Sequence, residues 1–208
     1  MTKNQNLIKR MVMISILSAL SVVLYNIGPK FELPIFPSFL TINFSMIPIF
    51  IGLFMLGTRD ALIIVLIRFI IKLPFTSTSC VGELADLILG VITISITGLL
   101  NYFVKCKGKE AIVFVGAIVS WIIAGLISNC FSLPLYMAMF GGKNMIIGSM
   151  NMISNVNESN YIWKYMLICV IPFNLILSSM VVLVTYPIHF RLKSLYDNFN
   201  QKEKKKIK

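Results

Sequence analysis

Six polar residues lie in or beside long apolar runs of this chain: Asn43, Arg68, Glu83, Asp86, Asn129 and Asn174. Two carboxylates could serve as acid and base, and an arginine with a carboxylate could pair. Asparagine amides can accept from and donate to the edge of a heteroaromatic ring. A charge at mid-membrane costs about 2.5–3.5 kcal/mol, so in an apolar setting each needs a reason. Arg68 stands four residues before Lys72, about 6 Å along a helix rising about 1.5 Å per residue. Asp86 lies at a similar depth in the next apolar run, so an Arg68–Asp86 pair across a helical hairpin is geometrically reasonable. Internal pairing and ligand contact both remain open for it. The same holds for the asparagines, which serve equally as helix–helix glue.

Other chemistry finds little support. The sequence has no GxSxG, no HExxH and no aspartate cluster of the kind that holds metal for phosphoryl transfer. Gly141-Gly142-Lys143 lacks the loop and the following Ser/Thr of a phosphate-binding motif, so the chain by itself cannot hydrolyse ATP. Cys80, Cys106, Cys130 and Cys169 show no CxxC spacing and His189 is the sole histidine, which indicates neither a zinc site nor a disulfide framework. They read as small apolar fillers.

The elements that must position the polar residues follow from composition. Of 208 residues 57% are hydrophobic and 13% charged, against roughly 25% charged in a soluble domain, and the mean hydropathy is +0.86. A bilayer span needs about 20 apolar residues, fewer where neighbours screen it. The apolar blocks predict an all-α integral membrane protein, a single six-helix bundle with spans near 8–27, 44–57, 59–73, 82–104, 111–139 and 162–190. A basic tail follows over 191–208. The first block is expected to be a retained helix, since no small-x-small cleavage site follows it.

The net charge of +11 reports topology rather than a nucleic-acid partner, because no basic face is interleaved with aromatics. With the N-terminus inside, fourteen Lys/Arg fall in inner segments and four, Lys30, Lys72, Lys143 and Lys164, in outer ones. The positive-inside rule therefore predicts two cytoplasmic termini. The lysine-rich tail would orient the protein and attract anionic lipid.

The long connections then lie outside. Residues 28–43 carry three prolines and three phenylalanines, as suits a loop folded back onto the mouth of a bundle. Residues 141–160 are rich in Asn, Ser, Gly and Met and read as mobile. The six polar residues share the outer third, which predicts an outward-facing polar pocket beneath an aromatic loop. In the first helix, Ser15 and Ala19 form a small-xxx-small pair that allows another helix to approach, within the bundle or outside it.

Several stretches resemble the S components of energy-coupling factor (ECF) transporters, the riboflavin-specific type most. Phe39-Leu-Thr-Ile-Asn-Phe-Ser-Met-Ile-Pro48 is similar to that family's Tyr-Leu-Lys-Ile-Asp-Phe-Ser-Asp-x-Pro. Val81-Gly-Glu-Leu-Ala-Asp86 is similar to its Val-Gly-Glu-Leu-Ala-Asn, and Ile171-Pro-Phe-Asn174 to its Leu-Pro-Phe-Asn. Ser128-Asn129 followed by Leu133-Pro134-Leu135-Tyr136 looks like the family's fifth helix. Order and spacing agree over residues 8 to 195. The chain departs from the pattern at Asn43 and Met46 (aspartates), Leu177 (lysine), Arg68-Phe69 (Lys-Asn), Asp86 (asparagine) and Gly57-Thr58 (Gly-Pro).

The resemblance implies a non-enzymatic S component of the bacterial plasma membrane that binds a vitamin from outside and has no cofactor of its own. Riboflavin or a related flavin is the implied ligand. A membrane T subunit and two ATP-binding-cassette ATPases are the implied partners, and ATP is used only by the partner subunits. The implied ligand-binding set is Phe39, Thr41, Asn43, Phe44, Arg68, Glu83, Asp86, Asn129, Tyr136 and Asn174. Ser15 and Ala19 match the motif that docks the T subunit, and residues 30–43 match the lid. Rival readings are another vitamin or precursor such as a hydroxymethylpyrimidine-like ring, a small membrane enzyme using Glu83 or Asp86, and a structural bundle with internally paired polar groups.

Overall fold

The computed structural model describes residues 3–28, 31–32, 36, 40–76, 79–106, 108–140, 147, 150 and 160–206. The expected lid is covered only in part, and the expected mobile connection 141–160 lies almost wholly outside the described residues.

The chain is mostly helical. Helix α1 (Lys3–Asn26) leads to a small antiparallel pair, β1 (Phe31–Glu32) with β2 (Thr41–Ile42), in the register Phe31 to Ile42 and Glu32 to Thr41. Then come α2 (Ile47–Leu56), α3 (Thr58–Lys72), α4 (Val81–Phe103) and α5 (Lys109–Phe140). The last helical stretch comprises α6 (Tyr161–Lys164), a π-helical turn (Tyr165–Val170) and α7 (Ile171–Lys206). The last helix runs on through the basic tail expected over 191–208 as far as Lys206. Lysine and glutamate lose little rotamer freedom in a helix, and nothing in that run breaks it.

Among the described residues, four helical stretches are long and apolar enough to cross a membrane: Leu7–Asn26, Val81–Phe103, Lys109–Met139 and Tyr161–Leu192. Helix α2, at 10 residues, reaches about 15 Å, half of the roughly 30 Å hydrocarbon core. It is instead buried, from Ile47 through Leu53. Outward-facing apolar residues such as Leu20, Val23, Leu66, Leu99, Val119 and Leu183 form the surface that a bilayer would cover.

Local chemistry explains the joints. Gly57, between α2 and α3, adopts φ 101° and ψ 173°, a region essentially reserved to glycine. Its N–H closes α2 on the carbonyls of Gly52 and Leu53, both at 3.2 Å. The π-helical turn ends just before Pro172, which has no N–H to offer the turn behind it and whose ring crowds that turn, so the helix widens there. Arg10 of α1 forms a two-pronged ion pair with the buried Asp60 of α3, pinning the two helices at one end.

Among the described residues, two apolar clusters fill the interior. The larger gathers α1 through α5 and α7 around Ile49, Phe50, Ile64, Trp121 and Val181, with Phe50 and Trp121 stacked at 5.9 Å between centroids. The smaller joins Leu133 of α5 to Met150, Tyr161, Tyr165 and Val170. Phe36 and Leu40 pack against both clusters.

Candidate functional site

A cavity of about 170 Å³ opens where the two clusters meet. Its polar lining is Thr41, Asn43, Asp86, Ser128, Asn129, Ser132 and Asn174. Its aromatic lining is Tyr25, Tyr136, Tyr165 and Phe173, and Leu40, Val81, Leu89, Leu133 and Leu177 complete the wall with Gly82 and Ala85. A concave apolar site with a few convergent polar groups is the form that small-molecule sites take.

The charged part of the site is a compact network. Lys72 Nζ lies 2.6 Å from Asp86 Oδ2, and Arg68 Nη2 lies 3.7 Å from the same oxygen. The sequence singles out Arg68 as the partner of Asp86 and counts Lys72 among the outer-segment charges. In the structure Lys72 is the nearer cation and is itself buried, its Nζ 3.3 Å from the Tyr25 ring centroid. A lysine over an aromatic face is held by the ring's negative face as well as by the carboxylate. Asp86 keeps 29% of its side chain accessible, and it is the charged member that reaches the cavity.

Arg68 points the other way along a polar chain. Its Nη1 donates to Ser45 Oγ at 2.9 Å, and Ser45 Oγ donates to Asn43 Oδ1 at 2.7 Å. Asn43 also accepts from the Ser45 backbone at 3.2 Å, while Ser21 donates to the Ser45 carbonyl at 2.6 Å. The buried arginine is thereby satisfied on both sides, as a charge out of water requires. Glu83, also buried, accepts from Thr76 Oγ1 at 2.8 Å, and that oxygen accepts from the Cys80 N–H at 3.0 Å. This arrangement closes the entry to α4, where an acidic residue in the first turn is favoured.

The two asparagines are braced reciprocally. Asn129 of α5 donates to the Gly125 carbonyl at 2.8 Å and accepts from Tyr165 Oη at 3.1 Å. Asn174 of α7 donates to the Val170 carbonyl at 2.8 Å and accepts from Trp121 Nε1 of α5 at 3.1 Å. Gly125 permits this approach: a Cβ there would sit 2.7 Å from the Asn174 amide. Each amide keeps an N–H and an acceptor lone pair beyond these bonds.

The structure thus brings Thr41, Asn43, Asp86, Asn129, Tyr136 and Asn174 to one cavity. Arg68 and Glu83 stand behind its wall rather than in it. Phe44 is half-buried and packs against the larger core, and Phe39 lies outside the described residues. Ser15 and Ala19 fall on the exposed side of α1, with Ser15 donating to the Met11 carbonyl at 3.0 Å. Tyr25, Tyr165 and Trp121 are absent from the sequence-based site. The one signal for them is that a buried Tyr or Trp must place its O–H or N–H on a partner. Phe36, within the expected lid, meets Phe173 edge-on at 5.6 Å.

Comparison with known proteins agrees with this architecture. The family model described as "ECF transporter, substrate-specific component" matches residues 9–189. Riboflavin transporter RibU of Staphylococcus aureus (strain TCH60) is 28% identical over 187 residues, covering 88% of this chain and 90% of the relative. Riboflavin transporter RibU of Lactococcus lactis subsp. cremoris (strain NZ9000) is 26% identical over 180 residues, with 80% and 84% covered. A solved structure described as "Structure and mechanism of the S component of a bacterial ECF transporter" superposes with a TM-score of 0.68 at 26% identity, covering 92% of this chain and 98% of that one. With a match spanning nearly the whole chain, this protein belongs to the ECF transporter family as a substrate-specific component, a part of a transporter rather than an enzyme.

Proposed function

We propose that this chain captures riboflavin or a close flavin from outside a bacterial cell and hands it to an ATP-driven module. The carrying observation is the cavity itself, in which two braced asparagines and one carboxylate converge among four aromatic rings. Relatives of nearly the same length that bear the name riboflavin transporter support the choice of ligand. Asn129 and Asn174 read the polar edge of the flavin ring, while Asn43, Thr41 and Asp86 take the hydroxyl-bearing chain. Tyr136 supplies apolar cover, as do Phe39 and Phe44 from the first connection. Arg68 and Glu83 act indirectly, by holding Asn43, Ser45 and the start of α4.

The protein is a single membrane domain over 1–208 with six spans and both termini cytoplasmic, in the plasma membrane. The first outer connection closes over bound ligand. Its partners are a T subunit and two ATP-binding-cassette ATPases, with α1 docking on the T subunit through Ser15 and Ala19. Release requires the component to rotate against that subunit.

The test is spectroscopic. Detergent-purified protein is expected to carry a flavin absorption spectrum. Stripped protein is expected to quench riboflavin fluorescence saturably, with at least tenfold weaker binding after Asn129→Ala or Asn174→Ala. Protein that ignores flavins would remove riboflavin as the ligand and direct the search to other vitamins.

A further inference from the structure

The bracing of the two asparagines has a directional property. Each amide sends its Nδ2 to the carbonyl four residues back in its own helix, at 2.8 Å in both cases. Each accepts, on Oδ1, a hydrogen bond from an aromatic side chain of the opposite helix at 3.1 Å. Tyr165, at the start of the π-helical turn, serves Asn129 of α5, and Trp121 of α5 serves Asn174 of α7. Reversal of either amide would face its oxygen toward a backbone carbonyl, and at Asn174 it would also face an N–H toward a donor. Tyr Oη could swap roles with an amide, but Trp Nε1 is a donor only.

We propose that Tyr165 and Trp121 are positioning residues that lock the Asn129 and Asn174 amides in one orientation, so that the cavity presents a fixed donor–acceptor pattern to an amide- or imide-like ring edge. This rests on the reading of the cavity as a flavin site. A polar group buried opposite the wrong partner loses its hydrogen bond outright, so a locked amide discriminates far more sharply than one free to flip. The π-helical turn belongs to the device, since Tyr165 opens it and the Val170 carbonyl that holds Asn174 closes it. Tyr165 and Trp121 are both almost fully buried, and Trp121 is not part of the cavity wall. Trp121 therefore acts through Asn174.

The test is a cycle between protein and ligand variants, by fluorescence titration of the full chain in detergent. The ligands are riboflavin, its N3-methyl derivative (which loses a ring donor) and its 5-deaza derivative (which loses a ring acceptor). Wild-type protein is expected to bind at least one derivative ten or more times more weakly than riboflavin. Tyr165→Phe, which removes a single oxygen, is expected to shrink that ratio at least threefold while the protein melts within a few degrees of wild type. Trp121→Phe supplies an independent arm through Asn174. If both variants weaken all three ligands by a common factor, the aromatic residues are packing elements only and the proposal is overturned. Wild-type protein that binds the three ligands equally overturns it as well. Absence of any flavin binding by wild type overturns the riboflavin reading itself, and this inference falls with it.

Discussion

Asp86 holds the balance of charge at the site. Two buried cations, Lys72 and Arg68, converge on its Oδ2, and removing one partner of a buried pair leaves the other uncompensated. Asp86→Asn is therefore expected to lower stability by roughly 3 kcal/mol, a figure at the lower end for buried pairs because the carboxylate is partly accessible. Thermal melts in detergent measure it. The double variant Lys72→Met with Asp86→Asn, which removes one charge of each sign, should recover more than half of the loss. The pairing of Arg68 with Asp86 was legible because depth along two neighbouring helices follows from residue counts. The greater proximity of Lys72 was not, because a lysine at a helix end reads equally well as a side chain reaching for water. Likewise Trp121 and Tyr165 vanish into apolar runs: their partners lie 53 and 36 residues away, a distance no local pattern encodes.

At the scale of elements, the joints carry the risk. Gly57→Ala forces a side chain into a backbone conformation that costs about 1–3 kcal/mol, and its Cβ meets nothing within 4 Å that could compensate. The expected result is a melting temperature several degrees lower, with riboflavin affinity retained at temperatures where the protein is folded. Gly125→Ala behaves differently, because its Cβ would press on Asn174 from 2.7 Å. Overpacking of this kind costs about 1–3 kcal/mol, and here the displaced group is the proposed ligand contact, so binding should weaken tenfold or more alongside stability. The ends of α2 to α5 fall within a few residues of the apolar block ends and of the breaks at Gly57 and the Pro-rich connections, whereas the last helix outruns its block to Lys206. The strand pair β1–β2 was not readable, since two residues per strand offer no alternation to detect. The π-helical turn left one trace, Pro172, which marks a disturbed helix without saying which form the disturbance takes.

At the scale of the whole molecule, the cavity proposed for ligand capture and the residues proposed for partner docking occupy different regions. The cavity gathers residues from the first connection and from α1, α4, α5, the π-helical turn and α7, whereas Ser15 and Ala19 face away from the core on α1. Ala19→Trp is accordingly expected to abolish co-purification with a T subunit while leaving the riboflavin dissociation constant within twofold of wild type. A parallel loss of binding would show that the two functions are not separable in this way. The sequence left open whether the α1 pair meets an internal or an outside partner; in the structure both residues are exposed.

The unequal lengths of the helices reach beyond the protein into its solvent. Helix α3 has 15 residues, about 22 Å, and presents Ile63, Leu66 and Ile70 outward. On α5, Ile112, Val115, Val119, Ile123, Ile127 and Phe131 are exposed along a helix of 32 residues, about 48 Å long. A bilayer must thin beside the first or the body must lean, and each ångström of mismatch costs a fraction of a kcal/mol. The apolar surfaces offered by these two helices differ in length, so an upright posture holds no privilege. Leaning in the membrane requires no repacking inside it.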